Sequence, residues 1–96
     1  MSETQLMDAV TGLCRWLRIS YYHPYDSRRS PSGWPDLVLC GDRGVLLREL
    51  KTGRGRLTGK QLEWGRRLAL AGMDWGVWRP DDLRSGRIRK ELEAIR

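Results

Sequence analysis

Residues 37–51 constrain this chain more than any other stretch. Leu37-Val38-Leu39-Cys40 and Val45-Leu46-Leu47-Arg48-Glu49-Leu50-Lys51 are two short, apolar, β-compatible runs separated by the glycine-flanked polar turn Gly41-Asp42-Arg43-Gly44. The pattern predicts a hairpin. Both faces of both strands are mostly apolar, which predicts a sheet covered on two sides, as in an α/β domain. With Asp42 and Arg43 as a two-residue loop, Gly41 faces Gly44 and, counting outward, Asp36 faces Glu49.

The flanking sequence supplies the helices for such a sheet. Leu6, Val10, Leu13, Cys14 and Leu17 fall on one stripe at the helical period, predicting an amphipathic helix over about residues 3–18, and Ser2 with Gln5 has the spacing of a capping box at its start. An extended piece, Ile19 to His23, precedes a Pro-, Ser- and Gly-rich loop from Pro24 to Pro35. After the hairpin, Thr52-Gly53-Arg54-Gly55-Arg56-Leu57 reads as a mobile basic loop. Thr58 and Gln61 then form a second capping box, opening a helix to about Ala71 with Leu62, Gly65, Leu68, Ala69 and Gly72 on one face. Trp75-Gly76-Val77-Trp78 is a last strand, and Leu83, Ile88, Leu92 and Ile95 mark a basic terminal helix weakened by Gly86. No repeat or linker interrupts residues 1–96, so one small domain is expected.

Composition narrows the class of function. Eighteen Lys and Arg against 12 Asp and Glu leave a net charge of +6, which suggests a polyanionic partner, while 40% hydrophobic residues suffice for a folded core. No apolar run approaches the roughly 20 residues of a membrane span, and the amino terminus lacks the basic and apolar regions of a signal peptide. A cytoplasmic protein without membrane association is expected. Cys14 and Cys40 show no ligand spacing and read as buried thiols; His23 reads as a turn or structural histidine. The segment Gly55 to Gln61 is one residue short of a phosphate-binding P-loop and carries Gln61 where that loop needs Ser or Thr. Arg84, Arg87, Arg89 and Lys90 follow no helix-turn-helix pattern.

The hairpin register brings chemistry to one end of the sheet. Asp36 and Glu49 lie side by side, and Lys51 points to the same face as Glu49 because side chains alternate along a strand. Opposed like charges are destabilising unless one carboxyl keeps a proton or a cation lies between them. Mg²⁺ or Mn²⁺ suits such an oxygen-rich position, and a neighbouring ammonium can activate the attacking water or stabilise charge growing on a phosphate. The competing reading is a Glu49–Lys51 salt bridge on an exposed strand end, with Asp36 merely following Pro35 in a turn.

Pro35-Asp36 followed by Glu49-Leu50-Lys51 resembles the PD-(D/E)xK nuclease superfamily. More narrowly, Ser32-Gly33-Trp34-Pro35-Asp36-Leu37, Arg48-Glu49-Leu50-Lys51-Thr52, the Leu57-Thr58, Gln61 and Trp64 set, and Ala71-Gly72 before Val77-Trp78-Arg79-Pro80 resemble the VRR-NUC domain. The resemblance implies a restriction-endonuclease-like αβββαβ core, with a small mixed sheet flanked by helices and a further C-terminal helix. It implies a Mg²⁺- or Mn²⁺-dependent DNA endonuclease with Asp36, Glu49 and the Leu50 backbone carbonyl as metal ligands and Lys51 as the catalytic lysine. Gln61 matches a family glutamine near the active site, and a capping box explains the same residue; both readings stand. The family's acidic residue in the first helix, which approaches the metal site, would fall near Glu3 and Gln5, so the resemblance implies Glu3 as a further metal ligand; Glu3 is also a first-turn residue favoured by the helix dipole.

Arg54, Arg56 and Lys60, interleaved with glycines, are the expected DNA clamp, with Arg28 and Arg29 on the other side of the site. Tyr25 or Trp34 could stack on a splayed base, although core packing explains a tryptophan equally well. The resemblance extends to structure-specific cleavage in phage DNA replication, recombination or repair, in the host cytoplasm, with other phage replication or packaging proteins as partners. A homodimer built on exposed Trp75 or Trp78 is a further expectation. The alternative function is a non-catalytic DNA-binding or assembly module that keeps the nuclease fold.

Overall fold

The computed structural model describes residues 1–24 and 30–96. The elements follow in the order α1 (Glu3–Leu17), β1 (Ser20–Tyr22), β2 (Leu37–Gly41), β3 (Gly44–Leu50), α2 (Gly59–Leu70), β4 (Asp74–Trp78), α3 (Pro80–Arg84) and α4 (Arg87–Ile95). The strands form one sheet in the order β1-β2-β3-β4. β1 and β2 pair antiparallel, as do β2 and β3, while β3 and β4 are parallel, joined by the α2 crossover. The hairpin closes as its sequence requires: Gly41 pairs with Gly44 and Leu37 with Arg48, which sets Asp36, one residue before the ladder, opposite Glu49.

Strand alternation sorts the two faces. Leu37 and Leu39 of β2, Leu46 and Leu50 of β3 and Trp78 of β4 join Leu6, Val10, Cys14 and Leu17 of α1 and Ile88, Leu92 and Ile95 of α4 in one buried cluster. Both helices therefore pack on this face. α2 covers the other face only in part, since Gly65 is its one buried residue. An added Cβ at Gly65 would lie 2.5–2.7 Å from Trp75 ring carbons, so the helix rests directly on that indole.

Several expectations change here. Trp78 is fully buried and Trp75 half-buried, so neither offers the exposed dimer surface expected of it. Cys14 is buried, its thiol pushed up to about 11 by burial despite nearby Arg15, but Cys40 is exposed on the part of the sheet that α2 does not reach. Leu62 points to solvent for the same reason. The terminal helix is two helices, because Gly86 takes a left-handed conformation (φ +84°) and restarts the chain as α4.

Arg48 ties β3, β4 and α4 together. Although buried, its guanidinium meets Asp74 at 3.0 Å and Glu91 at 2.8 Å and lies 5.3 Å from the Trp78 ring centroid. Glu91 also accepts a hydrogen bond from the Trp78 indole and one from Arg87. Burial raises the Glu91 carboxyl, yet these donors outweigh it and hold the group below its ordinary range. α4 is thereby fixed to β3 and β4 just behind the strand end that carries Glu49.

Candidate active site

The β3 end is built from both backbone and side chains. Pro35 is buried and the Asp36 carboxylate accepts a hydrogen bond from the Leu50 amide at 2.8 Å, which locks the residue before β2 to the last residue of β3. Gly33, at φ +85°, leaves room for the loop to lie on α2: a Cβ there would sit 2.4 Å from the Lys60 carbonyl carbon. The Ser32–Pro35 segment is thus held against the first turn of α2 while it delivers Asp36.

Glu49 occupies the centre. It is only 1% exposed, and Oε2 has no hydrogen-bond partner among the described residues. Burial pushes its carboxyl up to about 9; the neighbouring Asp36 carboxylate and, more weakly, the Glu3 charge act in the same direction, and Lys51 opposes them. No Glu49–Lys51 ion pair forms among the described residues. The exposed-salt-bridge reading therefore does not describe this strand end.

The two readings of Gln61 turn out to be compatible. Its Oε1 accepts from the Thr58 amide at 2.9 Å, closing the capping box of α2, while its Nε2 donates to Glu49 Oε1 at 3.2 Å. A side-chain amide has a donor and an acceptor end, and here each end has its own partner. Gln5, by contrast, is taken up by the α1 capping box with Ser2. Glu3 sits on the rim of a cavity shared with Asp36 and Leu50. Among the described residues no three His, Cys, Asp or Glu side chains gather closely enough to hold an ion.

His23 belongs to the site although its sequence context gives no hint of it. Its Nδ1 donates to the Asp36 carbonyl oxygen at 2.8 Å, and it lines both the cavity containing Glu49 and the one containing Glu3. The signal is nonlocal: only the pairing of β1 with β2 brings residue 23 beside residue 36. Asp36, Glu49 and Gln61 open into a cavity of about 580 Å³. Arg54, Arg56 and Lys60 are exposed next to the site, in the loop after β3 and the first turn of α2, and Arg79 reaches the Gly53 carbonyl. Arg28, Arg29 and Tyr25 lie outside the described residues.

The carboxyl pair fits a hard divalent cation. A buried oxygen without a partner, beside a second carboxylate, is an acceptor position that such a cation can satisfy.

No protein-family model matches the sequence, and no curated protein matches it. Among solved structures the chain is similar to a VRR_NUC domain protein, at 20% identity and a TM-score of 0.62, over 91% of this chain and 87% of that one. It is also similar to Hjc, a Holliday junction resolvase from the archaeal hyperthermophile Archaeoglobus fulgidus, at 21% identity and a TM-score of 0.53, over 77% of this chain and 64% of the resolvase. Likeness at these identities establishes the fold: a restriction-endonuclease-like mixed sheet flanked by helices, the fold expected from the motif order.

Proposed function

We propose that this protein is a divalent-metal-dependent nuclease that hydrolyses DNA phosphodiester bonds. The observation that carries the reading is the Asp36–Glu49 pair, Asp36 half-buried and Glu49 buried with its Oε2 unpartnered among the described residues, at a cavity on a nuclease-type fold. Asp36, Glu49 and the Leu50 carbonyl would hold Mg²⁺ or Mn²⁺, which when bound supplies the positive charge that polarises the scissile phosphate and acidifies water. Gln61 fixes the rotamer of Glu49 and ties it to α2. Lys51, half-buried on the same strand end, supplies the ammonium that stabilises charge on the phosphate oxygens or takes the proton of the attacking water. Arg54, Arg56 and Lys60 contact the phosphates on either side of the cut.

Incubating the protein with plasmid, single-stranded and junction DNA in Mg²⁺ or Mn²⁺ tests the reading. Cleavage of at least one substrate is expected, falling by about 100-fold or more in Asp36→Ala and in Lys51→Ala. Absence of cleavage on all three, with DNA binding retained, would leave a non-catalytic DNA-binding module instead.

A further inference from the structure

The active-site cavity does not end at Asp36 and Glu49. It continues past Trp34 and Pro31 into a second cleft of about 350 Å³, whose remaining walls include Tyr22 and Trp64. Trp34 and Trp64 meet edge to face with ring centroids 5.0 Å apart, both half-buried, and Tyr22 is 59% exposed across from them. Among the described residues the cleft is lined by three aromatic side chains and by no Leu, Ile or Val. Beyond Trp64 a third, smaller cleft of about 240 Å³ adds Lys60 and Arg67, the latter also paired with Glu63 at 3.1 Å.

That combination selects among occupants. A protein partner would bury aliphatic side chains, whereas here aromatic rings stand between the carboxylate pair and two cations, Lys60 and Arg67. A nucleobase meets each condition at once: its π-face stacks on the rings while its own phosphates run toward Lys60 on one side and, on the other, toward the cation that the carboxylate pair would hold. A base inside a duplex is already stacked and paired and would have to be extruded at an energetic cost, so an unpaired nucleotide enters more readily.

We propose that the Tyr22, Trp34 and Trp64 cleft takes an unpaired DNA base adjoining the scissile phosphate, and so raises the protein's affinity for single-stranded DNA over duplex. This rests on the reading of the site as a DNA-cleaving centre. The tryptophan pair is then a specificity element, with stacking replacing base-edge readout, so the preference is for strand structure and not for sequence.

Binding in EDTA separates base capture from cleavage. Affinities of the wild-type protein and of Trp34→Leu and Trp64→Leu are measured by fluorescence anisotropy on a single strand and on a duplex of equal length. About a 10-fold weakening on the single strand is expected in either variant, from the removal of one stacking partner, with duplex affinity unchanged. A second measurement does not depend on how the variants fold: an abasic nucleotide is walked along the single-stranded arm of a splayed duplex, whose junction fixes the register, with wild-type protein. Affinity should fall at one or two adjacent positions, with no further fall at those positions in Trp34→Leu. Equal weakening on both DNAs, or an abasic walk without any position-dependent effect, would overturn the cleft assignment while leaving the nuclease reading in place. Wild-type protein that binds neither DNA would overturn both.

Discussion

At the scale of single residues, the site is organised around the discomfort of Glu49. A carboxyl held near 9 is neutral at pH 7 in the metal-free protein, whereas in the unfolded chain it ionises near its ordinary 4.5. Between those values the folded state binds more protons than the unfolded state, so stability falls as pH rises. The metal-free protein is therefore expected to lose thermal stability from about pH 5 to pH 9, and Glu49→Gln, which cannot ionise, should remove most of that slope. Thermal unfolding in EDTA across this range checks it; identical slopes in both proteins would show that another group titrates. The Asp36–Glu49 juxtaposition was legible in the sequence, because a two-residue hairpin loop fixes which residues face each other. The roles of Gln61 and His23 were not. One bridges 12 positions to Glu49 and the other 13 positions to Asp36, and each interaction depends on packing between elements.

At the scale of elements, α2 is the part whose placement matters most and whose attachment is thinnest. It meets the sheet through Gly65 on Trp75, and its first turn carries Gln61 to Glu49. Gly65→Ala is expected to lift the helix, costing about 1–3 kcal/mol through overpacking. Because Gln61 would move with it, DNA cleavage should slow by more than the reduced stability accounts for; denaturant unfolding and cleavage rates on the same preparation check both effects. Helices and strands were legible close to their observed spans, since capping boxes and apolar periodicity are local signals. The exposure of Leu62 and Cys40 and the burial of Trp78 were not, because exposure depends on which face a neighbouring element covers, and α2 covers less of the sheet than its apolar stripe suggested. The Arg48–Asp74–Glu91 cluster was illegible for the same reason, as it joins residues 26 and 43 positions apart.

At the scale of the whole molecule, the net charge of +6 is unevenly spread and unevenly available. Residues 43–67 carry eight Lys and Arg against two Glu. One of these cations, Arg48, is buried in an ion cluster, and the terminal helices' Arg84, Arg87 and Arg89 are paired with Asp81, Asp82, Glu91 and Glu93. No such pair forms at Arg54, Arg56 or Lys60 among the described residues. Neutralising these three together is expected to weaken DNA binding and to flatten its dependence on log salt by about 0.7–0.9 for each phosphate that no longer has a cation beside it. Neutralising Arg84, Arg87 and Arg89 should change that slope much less, as binding titrations from low to moderate salt will read. Above all, the Asp36–Glu49 pair is expected to hold a divalent cation on which DNA hydrolysis depends. Single-turnover cleavage measured against Mn²⁺ concentration, after stripping with EDTA, addresses this directly. The rate should rise from background to saturation in the wild-type protein and stay at background in Glu49→Ala. A rate indifferent to Mn²⁺, or the same Mn²⁺ dependence in Glu49→Ala, would contradict it.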